Sequence, residues 1–149
     1  MRPLVTIYTI GFTKKSAKEF FEALRRSGAK HLFDIRLHNK SQLAGFTKRD
    51  DLRYFLRQIV NMEYHEVAIL APEDSFLSEY RKTGDWAKFE QSYLELIRQR
   101  QVERHIDPGL FEDGVVLLCS EAQPDHCHRR LAAEYLAHSL LGNASIEHL

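Results

Sequence analysis

A chain of 149 residues with 44% hydrophobic content is the size of one ordinary domain and has enough apolar material for a single sizeable core. Its 21 basic and 21 acidic side chains cancel, so no global field recruits nucleic acid or an anionic membrane, and any anion binding must be local. Two cysteines, no signal-type leader and no apolar run near ~20 residues predict a soluble, cytoplasmic protein without a membrane partner.

Leu4-Val5-Thr6-Ile7-Tyr8-Thr9-Ile10, closed by Gly11, predicts a first buried strand with a tight exit. Ser16 and Glu19 form a capping-box pattern for a helix whose apolar face is Ala17, Phe20, Phe21 and Leu24, ending at Gly28. His31-Leu32-Phe33-Asp34-Ile35-Arg36 predicts a second strand, followed by a polar loop from Leu37 to Phe46. Thr47 with Asp50 resembles a second capping pair, before a helix with Leu52, Phe55, Leu56 and Ile59 on one face and a break at Asn61. Tyr64 to Leu70 follows as a third strand, and 71–85 as an irregular segment. Asp85 caps a helix carrying Trp86, Phe89, Tyr93 and Ile97 and running to Arg104; the spacing assigns these aromatics to the core. Gly114 to Cys119 is the fourth strand. Pro124-Asp125 supplies a turn and an N-cap for a last helix with Leu131, Ala132, Tyr135, Leu136 and Leu140 inward, and Ile146 to Leu149 forms a short final strand.

Strands alternating with amphipathic helices predict an α/β fold: a single three-layer domain over residues 1–149, with a mostly parallel sheet of four to five strands and helices on both faces. Loops 37–46 and 71–85 are the expected flexible parts. Open parallel sheets bind ligands at the carboxyl ends of their strands, so Gly11, Thr13, Asp34, Arg36, Cys119, Glu121, Cys127, His128 and Arg129 are expected to gather along one edge.

The residues Thr9-Ile10-Gly11, Asp34-Ile35-Arg36 and Cys119-Ser120-Glu121 followed by Cys127-His128-Arg129 resemble the pattern of the family catalogued as domain of unknown function 488. That family has a Thr-Ile-Gly-His start, an Asp-Val-Arg type strand end and a Cys-x-Glu…Cys-His-Arg close. The resemblance implies a compact α/β fold in which the three motifs form one site. The chain departs from the pattern at Phe12, where the family has His, and at Leu37-His38-Asn39, which lacks the family's proline. Whatever the family histidine does is absent here or falls to His38, His65 or His126.

Three chemistries compete for this cluster. In the first, Cys127 at a helix N-terminus beside Arg129 and Arg130 is a nucleophilic or redox thiol with His126 or His128 as base; the bland alternative is a packed thiol with Arg130 paired to Glu134. In the second, Cys119, Cys127 and His126 or His128, joined by Glu121 or Asp125, ligate zinc, although no second cysteine pair completes a structural site. A disulfide between the two cysteines is disfavoured by the compartment. In the third, Arg36, Arg129 and the helix N-terminal amides cradle an anion while Asp34 and Glu121 orient the arginines or move protons. Its bland counterpart is a set of structural pairs of Asp34 and Arg36 with Arg129 and Glu121. Gly11 would let backbone approach a ligand, with Thr13 as a hydroxyl donor, or simply form a tight turn. Lys14, Lys15, Lys40, Lys48, Arg49, Arg53 and Arg57, with Phe46 and Tyr54, form a candidate nucleic-acid patch, against which stands an ordinary charged helix surface.

The expectation is an α/β domain binding a small phosphate-bearing or other anionic ligand, such as a nucleotide or a nucleic-acid end. If an enzyme, it is a hydrolase or transferase with Cys127, Asp34, Glu121 and His128 catalytic and Gly11, Thr13, Arg36, Cys119 and Arg129 binding. No cofactor is expected, zinc being the competing choice, and the oligomeric state is left open. The alternative is a non-catalytic interaction module in which the same cluster is structural.

Overall fold

Five strands, β1 (Val5–Gly11), β2 (His31–Asp34), β3 (Glu63–Glu66), β4 (Val115–Cys119) and β5 (Ala144–His148), pair in parallel in the order β3-β2-β4-β1-β5. The computed structural model describes residues 5–39, 45–121 and 125–149; Leu4, Lys40 and Pro124, on which expectations were placed, lie outside them. The central position of β4 follows from its composition, since every residue of Val-Val-Leu-Leu-Cys is buried and both faces must be covered. β5, at one edge, is bound to β1 partly through side chains, with Thr6 Oγ1 2.7 Å from Ser145 Oγ and Thr9 Oγ1 2.5 Å from His148 Nδ1.

Helices cover both faces. On one side α1 (Ala17–Ser27) and α2 (Arg49–Phe55) bury Phe20, Phe21, Leu24 and Leu52 against Ile10, Leu32, Val116 and Leu118. On the other, α4 (Trp86–Gln99) and α5 (His128–Ser139) bury Phe89, Tyr93, Ile97, Leu131 and Leu136 against Ile7, Phe33, Val115 and Leu117, with α3 (Asp74–Thr83) packed on α4. Among the described residues, no helix is long and apolar enough to cross a membrane.

The neighbouring strands β2 and β4 leave the sheet toward opposite faces, the chain going on to α2 after β2 and to α5 after β4. Their carboxyl ends therefore part and leave a crevice between them.

Local signals decide most helix ends. Ser16 and Glu19 close a reciprocal capping box, and Gly28 ends α1 in the left-handed region at φ 70°. Asp85 caps α4 by accepting from the Lys88 N–H at 3.1 Å. Elsewhere tertiary packing overrides the pattern. The N-cap of α2 is Lys48, with no side-chain bond, rather than Thr47, which is drawn fully into the interior. The turn after α2 is a π-helical Leu56–Val60, whose wider turn rotates Ile59 off the apolar face to 41% exposure. β3 stops at Glu66 and a 3-10 turn takes Ala68–Leu70. α3 replaces the irregular segment expected over 71–85; it buries no residue fully, so its amphipathic signal is thin. α4 ends at Gln99 rather than Arg104, because Gln101 turns left-handed at φ 51° and sends Val102 into the core. The N-cap of α5 is Cys127, not Asp125.

Candidate functional site

A cleft of about 300 Å³ opens between the carboxyl ends of β2 and β4, the start of α5 and the α3–α4 pair. On its floor β4 delivers Cys119, 4% exposed, and the first turn of α5 delivers His128. The Cys119 Sγ is 3.6 Å from His128 Nδ1, and His128 Nε2 is 2.7 Å from the Ile35 carbonyl oxygen. A carbonyl can only accept, so Nε2 carries a proton and Nδ1 is the nitrogen that exchanges one with the thiol.

Burial alone would push the Cys119 thiol up; a hydrogen bond from Cys127, the charge and hydrogen bond of His128 and a bond from the Glu121 backbone outweigh it and hold the thiol well below its ordinary value. His128 moves the other way: burial would lower it, but the Cys119 charge and hydrogen bond raise it. Cys127 is pushed up, first by burial and then by the hydrogen bond and charge of Cys119. These directions favour charge separation between Cys119 and His128 and a proton kept on Cys127. Both cysteines are free thiols. Cys119 Sγ, Cys127 Sγ and a His128 ring nitrogen lie within 4.8 Å of one another, so this triplet could also hold a metal such as zinc through soft sulfur and imidazole.

Arg36 forms one cleft wall. Its Nε and Nη2 donate to the two oxygens of Asp34, each at 2.8 Å, and the Tyr64 hydroxyl donates to Asp34 Oδ2 at 2.5 Å. Burial, then the Asp34 carboxylate, raise Tyr64 and keep that hydroxyl protonated. Phe12 lies under the guanidinium, 5.7 Å from ring centre to Cζ. Arg36 Nη1 is buried and has no hydrogen-bond partner among the described residues. The opposite wall is aromatic: Trp86 stacks on His126 at 5.0 Å and on Phe89 at 5.1 Å, and Tyr80 meets Trp86 at 5.5 Å.

Of the nine residues singled out in the sequence, Arg36, Cys119, Glu121, Cys127 and His128 line this cleft, and Gly11, Thr13, Asp34 and Arg129 do not. Asp34 is fully buried and reaches the cleft only through Arg36, its pairing partner in place of Arg129. Arg129, fully buried, donates to the Glu121 backbone carbonyl and to Thr9 Oγ1, so it ties the loop after β4 to β1. A Cβ on Gly11 would lie 2.5 Å from Arg129 Nη1 and 2.7 Å from the Glu121 carbonyl carbon, so this glycine admits the chain's own loop. Thr13 donates its hydroxyl to the Ser120 carbonyl at 2.5 Å and its N–H to the same oxygen at 3.1 Å. Arg130 pairs with Glu134 at 3.0 Å, as the helical spacing predicts.

Trp86, Tyr80 and Arg81 were not singled out for the site. Trp86 shares a helical stripe with core residues, and its place on the cleft wall depends on α3, whose signal is weak. In the basic patch, Phe46 packs 5.5 Å from Phe20 and 6.0 Å from Phe21, Arg49 pairs with Asp50 and Glu66, and Arg53 lies over Tyr64, while Tyr54 is 62% exposed.

No curated protein and no solved structure matches the chain. A family model described as domain of unknown function DUF488 matches residues 16–136, a span that contains both cleft-lining strand ends and the start of α5. The chain belongs to that family.

Proposed function

We propose that the cleft binds a small anionic ligand bearing a phosphate and a planar group, such as a nucleotide or a nucleic-acid end, and that Cys119 with His128 performs hydrolysis or group transfer on it. The observation that carries this reading is the Cys119–His128 contact on the cleft floor, with the imidazole oriented by the Ile35 carbonyl. Such an arrangement supplies an activated nucleophile, its proton partner and an orienting third group. The thiolate forms a bond to the electrophilic centre while the leaving group departs with its electron pair and takes the Nδ1 proton. Neutral Nδ1 then removes a proton from water, which displaces the thiolate and regenerates the pair. Cys127 is a positioning residue that donates to the thiolate.

The rest of the cleft supports an anionic, planar ligand. Arg36 Nη1 is a buried donor without a partner among the described residues, a state that costs about 1–3 kcal/mol and that an anion would relieve. Arg81 adds charge, and the Tyr80, Trp86 and His126 wall offers aromatic surface. The non-catalytic alternative draws on the buried Arg129 and Asp34, which staple the fold; it predicts an inert thiol. Iodoacetamide labelling resolved by peptide, with and without AMP, separates the two. The proposal expects fast alkylation of Cys119 near neutral pH, sparing Cys127 and slowed by AMP. Labelling of Cys119 no faster than an ordinary thiol, or indifferent to AMP and to inorganic phosphate, overturns it, as does one tightly held zinc on the two sulfurs.

A further inference from the structure

A second cluster lies on the sheet away from the cleft. His31 opens β2, and Glu63 and His65 sit two residues apart on β3, the edge strand, so their side chains share one face. His31 Nδ1 is 3.0 Å from His65 Nε2 and 3.7 Å from Glu63 Oε2, and His65 Nε2 is 3.9 Å from the same oxygen. A circle through three atoms with these separations has a radius of about 2.1 Å. That is the length of a zinc bond to imidazole nitrogen or carboxylate oxygen, ~2.0–2.2 Å.

We infer that His31, Glu63 and His65 form a binding site for a divalent transition-metal ion of the zinc type, separate from the cysteine cleft. A second, independent contact fits this assignment. The outer nitrogen of His31, Nε2, faces Asp113 Oδ2 at 3.4 Å. An ionised carboxylate only accepts, so Nε2 carries the proton and Nδ1 presents its lone pair to the point shared with His65 and Glu63. This is the carboxylate–histidine–metal arrangement that fixes a ligand's tautomer. The site has an entry path, because the Glu63 side chain is 60% exposed while that of His31 is 9% exposed, which leaves the remaining coordination positions to water. Two imidazoles and one carboxylate select a zinc-like ion over magnesium or calcium, which prefer all-oxygen shells. The ion would cross-link β2 to the edge strand and, through Asp113, to the turn before β4.

The test is titration of the full chain with zinc chloride, followed by calorimetry and by the shift in melting temperature. Wild-type protein is compared with Glu63→Gln, His65→Gln, Asp113→Asn and Cys127→Ser. The expected result is one zinc bound outside the cleft, with affinity at least tenfold weaker in Glu63→Gln and His65→Gln, about 10–100-fold weaker in Asp113→Asn, and unchanged in Cys127→Ser. The zinc-dependent rise in melting temperature should fall in the same order. Glu63→Gln alters a largely exposed side chain, so it reports on binding even if His65→Gln destabilises the sheet. The inference is overturned if the wild type takes up no zinc, if Glu63→Gln binds it as tightly as the wild type, or if uptake is abolished by Cys127→Ser alone.

Discussion

Gly11→Ala tests how the carboxyl edge of the sheet is assembled. An added methyl would lie 2.7 Å from the Glu121 carbonyl carbon, closer still to its oxygen, and 2.5 Å from Arg129 Nη1. Carbon contacts settle near 3.5–4.0 Å, so the 120–121 segment would have to withdraw by about 1 Å or more. The main obstacle is backbone, which cannot swing aside as a flexible side chain does. That withdrawal strains the two bonds from Thr13 to the Ser120 carbonyl and the charge-assisted bond from Arg129 to Glu121. At ~0.5–1.5 kcal/mol for each neutral bond and ~1.5–3 for the charged one, the loss comes to about 2.5–6 kcal/mol. The natural assay is urea unfolding at neutral pH, with the change read as a midpoint shift at constant slope. Because Glu121 also contributes a backbone bond to Cys119, alkylation of that thiol should slow in parallel. A Gly11→Ala protein within ~0.5 kcal/mol of the wild type, the range of an ordinary surface change, would refute the packing argument.

Arg129→Ala should be destabilised by about 3–5 kcal/mol, because it empties a fully buried site and strands the Glu121 carbonyl; thermal unfolding measures this, and a loss below 1 kcal/mol would contradict the staple role. Cys119 is held low and His128 raised by their contact, so Cys119 alkylation should already be fast on the acid side of ~8.5, where an ordinary thiol titrates. In His128→Gln the imidazolium is gone and the opposing burial is not, so the alkylation profile should move to higher pH, and an unmoved profile contradicts the pairing. Tyr64→Phe removes one of the donors to a buried carboxylate and should lower stability by about 1–2 kcal/mol in denaturant unfolding, leaving Cys119 labelling unchanged.

The elements with strong local signals were legible from the chain alone. The reciprocal Ser16–Glu19 cap, the Asp85 cap, the left-handed Gly28 and the unbroken apolar run of β4 each decide a boundary through contacts within a few residues. α3 was not legible, because Phe76, Leu77 and Tyr80 are only partly buried and its N-cap makes no side-chain bond. The same thin signal concealed the aromatic wall of the cleft, since Trp86 looks like any other member of an apolar stripe until α3 sets Tyr80 beside it. The gathering of Arg36, Cys119, Glu121, Cys127 and His128 followed from the rule that parallel strands present their carboxyl ends to ligands.

Residue order therefore carried the alternation of strand and helix, the parallel sheet and the edge at which chemistry-bearing side chains meet, because these depend on periodicity, caps and the handedness of crossovers. Which of the two thiols is lowered and which raised, which arginine faces the cleft and which is sealed in the interior, and the meeting of His31 with His65 were settled by tertiary packing alone. Those outcomes depend on separations of 3–4 Å between residues as many as 120 positions apart, such as Thr9 and Arg129, and on burial that reverses or amplifies a charge.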